Sequence, residues 1–203
     1  MEFGLDTFGD VTRDASGALL PQDQVLRNVV AEAVLADQVG VDAFNIGEHH
    51  RDDFAVSAPE ILLANIAART HRIRLGTAVT VLSTDDPIRL YQRFSTLNAL
   101  ADGRGEVILG RGSFSESYPL FGYDMRDYEV LFEEKLAIFS QVNKTGALNW
   151  SGQHRAPIKV PAVYPPAGPG GIRSWIGVGG SPESVVPAVR PDMRNMLSRI
   201  GGD

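Results

Sequence analysis

Strand-like and helix-like segments alternate along this chain, and that alternation limits the folds available to it. Apolar and β-branched residues predict short strands at 2–7, 41–46, 73–82, 106–109 and 175–178. Helical spacing of apolar residues predicts helices at 22–39, 59–70, 87–100 and 128–142. Successive strand–helix units predict a parallel α/β sheet, either doubly wound and open or closed as a (β/α) barrel. Since a closed barrel has about eight strands, the strand count alone favours the open sheet.

Composition excludes several classes of function. The 203 residues contain no cysteine, which excludes disulfides, thiolate zinc sites, iron–sulfur clusters and cysteine nucleophiles. The net charge of −6 argues against a nucleic-acid-binding protein. Neither a signal-peptide pattern nor a long apolar run is present, so we expect a soluble, cytoplasmic protein with one domain over residues 1–203.

In βα folds, functional residues gather where the strands end. His49 and His50 directly follow the predicted strand 41–46, and a neutral imidazole there could act as a general base. The alternative is a histidine that only hydrogen-bonds the loop backbone. A metal site is less favoured, because the pair lacks the spacing that places two imidazoles on one helix face, and we expect no metal.

Two further strand ends suggest anion recognition. Residues 179–184 (GGSPES) combine flexible glycines with serine hydroxyls at a helix start, where backbone N–H groups bind anions, although an ordinary capped helix fits equally well. Arg111 stands between two glycines and suits a phosphate or carboxylate. Its alternative role is an ion pair with Asp85 or Asp86. Small residues in segment 77–82 could underlie a flat ring or form an ordinary buried strand.

Four segments occur in a fixed order along the chain: GEHH at 47–50, the segment 73–114, PLFGYD at 119–124 and GVGGSPESVV at 177–186. This ordered set resembles the bacterial luciferase-like flavin monooxygenases. The resemblance covers nearly the whole chain and implies a TIM-type (β/α) barrel that binds reduced FMN where its strands end. With molecular oxygen, such an enzyme oxidises an aldehyde or another small organic substrate. Family members complete eight strands, so we expect an incomplete barrel of five to six units, truncated before the last strands, with neighbouring strands in chain order.

The resemblance also assigns roles to individual residues. It implies that His49 is the catalytic histidine and that a non-proline cis peptide joins Thr77 and Ala78 under the flavin ring. Arg111 corresponds to the arginine that helps to hold the FMN phosphate. The rest of the phosphate cradle corresponds to Gly179, Gly180, Ser181 and Ser184.

Partners and alternatives follow from the same resemblance. It implies a homodimer formed through the helices 59–70 and 87–100, and a flavin reductase that supplies reduced FMN. One alternative is hydride transfer with the deazaflavin F420 on the same barrel. Others are a flavin-binding protein without turnover and a truncated product without a stable function. Because an incomplete barrel admits water to its site, we expect weak, uncoupled activity and an FMN affinity below that of a longer relative.

Overall fold

A six-stranded parallel sheet is the framework of the protein. The computed structural model describes residues 1–112, 114–178 and 193–197. Neighbouring strands follow one another in the order of the chain, apart from an inserted antiparallel hairpin. The sheet contains β1 (Gly4–Thr7), β2 (Ala43–Ile46), β3 (Arg74–Val81), β4 (Glu106–Gly110), β7 (Arg173–Val178) and β8 (Arg194–Leu197), and the hairpin consists of β5 (Leu148–Trp150) and β6 (Ile158–Val160).

The helices begin and end at residues whose chemistry suits those positions. They are α1 (Gln22–Val39), α2 (Pro59–Ala67), α3 (Pro87–Leu100), the short α4 (Ser117–Leu120) and α5 (Tyr128–Thr145), with 3₁₀ turns at Leu82–Thr84 and Met125–Asp127. Prolines occupy the first positions of α2 and α3, where no backbone donor is needed. The Asp86 carboxylate accepts from the N–H groups of Ile88 and Arg89 and caps α3. Gly40, at φ 91°, ends α1.

This topology confirms the barrel-type architecture that the resemblance implies. The first strand lies at the edge beside the second, not between the third and fourth as in a doubly wound sheet, so the preference drawn from strand count is wrong. The described strands form an incomplete α/β barrel. Helix α2 ends three residues before the predicted boundary, and the Arg104 guanidinium there donates to the carbonyls of Ala67 and Thr70.

The two faces of the sheet differ in character. Phe44, Leu75, Leu109 and Ile176 face the helices and belong to the hydrophobic core. On the opposite, inner face, polar side chains of neighbouring strands pair with one another. Asn45 donates to Asp6 at 2.8 Å, and the Trp175 indole donates to Glu106 at 3.4 Å. Within the described residues, none of the helices has the length and apolarity needed to cross a membrane.

Candidate active site

The predicted site residues that the structure describes come from neighbouring strands. The segment Glu48–His50 follows β2, Ala78 and Val79 lie in the last part of β3, and Arg111 follows β4. Because β2, β3 and β4 are parallel neighbours, their carboxyl ends meet at one edge of the sheet. We refer to this edge as the carboxyl edge. It brings His49, Ala78 and Arg111 to one end of the barrel, as the sequence predicts.

Glu48 connects the histidine pair to β3. One oxygen of its carboxylate lies 2.9 Å from His50 Nε2, and the other accepts a hydrogen bond from the backbone N–H of Val81 at 3.0 Å. The His50 and Glu48 side chains are only 9% and 11% exposed. Glu48 therefore fixes the loop after β2 against the end of β3. Sequence reasoning gave it no role, although it stands inside the quoted GEHH motif.

His49 lies half-buried among three phenyl rings. Its imidazole stacks on Phe54 at 4.3 Å and meets the edges of Phe8 and Phe114 at 5.0 and 5.1 Å. Burial lowers the pKa of His49 below its usual 6.5, and the charges of Glu116 and Glu48 oppose that shift only in part. The ring is therefore neutral near pH 7 and can accept a proton.

The end of β3 departs from regular strand geometry. A non-proline cis peptide joins Ala78 and Val79, so the implied position between Thr77 and Ala78 is wrong by one residue. Thr77 still pairs regularly with Ile46 of β2, and the register against β4 shifts only between Ala78 and Thr80. The Thr77 side chain is fully buried, with its hydroxyl 2.8 Å from that of Thr80. Contact between Thr77 or Ala78 and a cofactor stays a prediction.

Arg111 is engaged by acids of helix α5. Its Nε donates to Glu129 at 3.1 Å, its Nη2 lies 3.6 Å from Glu133, and its guanidinium lies 4.3 Å above the Phe132 ring. The side chain is 8% exposed. In the described structure the guanidinium thus already has anionic partners, and binding of a phosphate stays a prediction for it.

The alternative partners named for Arg111 are occupied elsewhere. Asp85 pairs with Arg93, and Asp86 pairs with Arg155. Arg111 does form ion pairs, as the alternative interpretation has it, but with the glutamates of α5 and not with Asp85 or Asp86. Asp85 and Asp86 lie near Arg111 in the predicted order of strands and loops. The contact of Arg111 with α5 instead depends on how distant segments pack in the folded chain.

The predicted phosphate cradle lies outside the described residues. Gly179, Gly180, Ser181 and Ser184 all fall in that part of the chain. Their convergence with Arg111 on one anion therefore stays a prediction. Within the described ranges, no cluster of three or more histidine and carboxylate side chains is arranged to hold a metal ion.

A buried lysine supports the turn that follows β3. Lys135 of α5 donates from Nζ to the Ser83 carbonyl at 2.7 Å, and the same nitrogen lies 3.8 Å from the Tyr123 ring centroid. Burial lowers the pKa of Lys135 to about 8, against the opposing charges of Asp85 and Asp86. Sequence reasoning missed this residue, because a lysine in an amphipathic helix normally faces solvent.

Comparisons with known proteins agree with this architecture. The sequence profile of the family described as luciferase-like monooxygenase matches residues 1–191. The alkanal monooxygenase alpha chain of Photobacterium leiognathi is 29% identical over 131 residues, which cover 64% of this chain and 37% of that relative. The chain spans less than half the length of curated relatives such as this one.

Two solved structures share the fold. One is the oxygenating constituent of 3,6-diketocamphane monooxygenase from Pseudomonas putida, a type II Baeyer–Villiger monooxygenase in complex with FMN, with a TM-score of 0.80 and 22% identity. The other is an F420-dependent secondary alcohol dehydrogenase in complex with an F420–acetone adduct, with a TM-score of 0.76 and 16% identity. Each comparison covers 97% of this chain and 57% of the other. These TM-scores establish the shared fold, and the profile match over residues 1–191 shows that the chain belongs to the luciferase-like monooxygenase family.

Proposed function

We propose that the protein is a monooxygenase that binds reduced FMN at the carboxyl edge and uses molecular oxygen to oxidise a small organic substrate. Membership of the luciferase-like family supports the reaction class. The observation that carries the proposal is the neutral, half-buried imidazole of His49 at the carboxyl edge, next in sequence to the anchored Glu48.

The residues of the carboxyl edge fit a flat ring. A Cβ added to Gly47 would lie 2.3 Å from the Phe8 ring and 3.2 Å from the Ala78 carbonyl oxygen, so only glycine fits between them. Phe8 thus covers Gly47, whereas the small side chain of Ala78 is partly exposed and leaves a low surface at the end of β3 on which a ring system could rest. A phosphate at the other end of the cofactor would suit Arg111, provided that the exposed Glu129 gives up its contact.

The cofactor would supply electrons and activate oxygen, while the chain positions the reactants. His49 would accept a proton from the substrate at its neutral imidazole. The surrounding rings of Phe8, Phe54 and Phe114 would keep water from that proton transfer. Glu48 would act as a positioning residue, since it holds the loop of His49 against β3.

The proposal includes two partners. Ile61 of α2 is 71% exposed, whereas Leu63 and Ile66 of the same helix are fully buried, so α2 has apolar surface left for a second copy of the chain. We therefore propose a homodimer through α2 and α3, which sedimentation equilibrium at low micromolar concentration would test. One species of about 22 kDa would contradict it. A separate flavin reductase would supply the reduced FMN.

Two other functions fit the same fold, and an oxidation assay together with a cofactor-binding assay separates all three. Protein equilibrated anaerobically with reduced FMN is mixed with air-saturated buffer, with and without decanal as the probe substrate. A monooxygenase forms decanoate, whereas a flavin-binding protein without turnover changes the flavin spectrum but leaves decanal unchanged. Binding of F420 with no binding of FMN would favour the hydride-transfer alternative.

A further inference from the structure

We propose that the ring cluster around His49 binds the apolar body of an uncharged substrate and that neighbouring carboxylates exclude anionic substrates. We call the rings of Phe8, Phe54, Phe114 and His49 the aromatic wall. The inference rests on the proposed function, because it names the substrate class of the same site.

Three separate segments build the aromatic wall. Phe8 follows β1, Phe54 belongs to the loop after β2, and Phe114 belongs to the loop after β4. Phe54 lies 6.1 Å from Phe8 and 6.2 Å from Phe114, so the rings form one continuous apolar surface against His49. Phe114 is 38% exposed, which leaves apolar ring surface open beside the imidazole. Aromatic pairs prefer offset or edge-on arrangements with centroids about 4.5–7 Å apart, so a substrate ring could extend the aromatic wall in the same way.

The charges around the aromatic wall are mainly negative. Glu116, Glu48, Asp10 and Asp53 all act on the His49 ring as negative charges, with Glu116 the strongest. Arg51 is a cation beside the wall, 4.9 Å above the Phe114 ring, and it is neutralised by Asp53 through bonds of 2.8 and 2.9 Å. Neither Glu116 nor Asp10 forms an ion pair with a basic side chain of the described residues.

This charge distribution disfavours anionic substrates, but it does not favour one uncharged ring system over another. A carboxylate or sulfonate on the substrate would meet uncompensated acids, whereas an uncharged apolar molecule avoids that repulsion and still buries its surface on the rings. The FMN phosphate is proposed at Arg111. Glu116 follows β4 as Arg111 does, but it acts on the His49 ring together with the acids after β1 and β2, so all four acids would act on a substrate beside that ring. The geometry thus favours uncharged apolar substrates.

Binding of two matched probes tests the inference without flavin. Acetophenone and benzoate share a phenyl ring but differ in charge, and each is titrated into the full chain while the His49 Hε1 NMR signal is followed. We expect acetophenone to bind at least tenfold more tightly than benzoate. Equal or tighter binding of benzoate, or no binding of either probe at His49, would overturn the proposal.

Variants assign the effect to particular groups. Phe114→Ala should weaken acetophenone at least threefold, whereas Phe3→Ala, which removes an exposed ring at the start of β1, should leave it unchanged. Glu116→Gln should strengthen benzoate at least threefold with little effect on acetophenone. Equal effects of the two phenylalanine variants would contradict the assignment. If the protein does not bind FMN but still binds acetophenone more tightly than benzoate, the proposed function is refuted and the inference about the aromatic wall is not.

Discussion

The Glu48 carboxylate accepts a hydrogen bond from the backbone N–H of Val81 at 3.0 Å, and its other oxygen lies 2.9 Å from His50 Nε2. One side chain therefore connects the loop after β2 with the segment of β3 that follows the Ala78–Val79 bond. Both contacts are nearly buried, so water cannot readily replace them. The arrangement makes the position of the histidine pair dependent on the end of β3.

Replacement of Glu48 tests this connection. Glu48→Ala leaves the Val81 N–H without its partner, and we expect the free energy of unfolding to fall by about 1–3 kcal/mol. Glu48→Gln keeps an acceptor oxygen for Val81 and should cost less than half as much. Urea unfolding of both variants measures the difference. If the glutamine variant is as unstable as the alanine variant, the contact with Val81 contributes little.

The titration of His49 provides a second test. Since burial lowers its pKa, the His49 Hε1 signal should titrate with a midpoint below 6.5 in NMR spectra. The unfolded chain then binds this proton at higher pH than the folded chain does. The free energy of unfolding should therefore decrease as pH falls from about 6.5 through the folded midpoint. His49→Gln should remove that decrease, and a midpoint above 6.5 would contradict the account.

Substitutions of Arg111 and Glu129 should change the affinity for FMN in opposite directions. Arg111→Ala should weaken FMN at least tenfold and affect riboflavin, which lacks the phosphate, much less. Glu129→Gln frees the guanidinium from its charged partner and should strengthen FMN relative to riboflavin. Fluorescence titration of both flavins with each variant measures these ratios. Parallel changes for the two flavins would remove the phosphate role from Arg111.

Because of Lys135, the free energy of unfolding should vary with pH in the alkaline range. Its pKa is about 8 in the folded chain against 10.5 for an unperturbed lysine, so between these values the unfolded chain binds more protons. The contribution of Lys135 to the free energy of unfolding should therefore rise from pH 8 to pH 10.5. Lys135→Met should remove that rise, whereas Lys159→Met on the exposed hairpin should preserve it. Urea unfolding across this pH range compares the two, and equal slopes would contradict the prediction.

The features that could be predicted from the sequence are those determined by residues close together in the chain. Helix α3 begins and ends where predicted, because Asp86 and Pro87 define its start within two adjacent residues. The meeting of His49, Ala78 and Arg111 at one edge followed from strand order alone. Such features need only short-range patterns and a topology rule.

The remaining features depend on contacts between distant segments. The Glu48–Val81 hydrogen bond spans 33 residues and the Lys135–Ser83 bond spans 52, and nothing local to either residue indicates its partner. The contacts of Arg111 likewise depend on the position of α5 beside the residue that follows β4. Only the folded arrangement shows that these charged groups are buried and paired.

The most direct test of the central claim is transfer of oxygen from ¹⁸O₂ to decanal by the chain supplied with reduced FMN. We predict decanoate that carries one ¹⁸O atom, with a rate at least tenfold lower for His49→Gln and an FMN dissociation constant changed less than twofold. Mass spectrometry of the product and fluorescence titration of FMN measure both quantities. Decanoate without ¹⁸O, no decanoate at all, or an unchanged rate in the His49 variant would contradict the account.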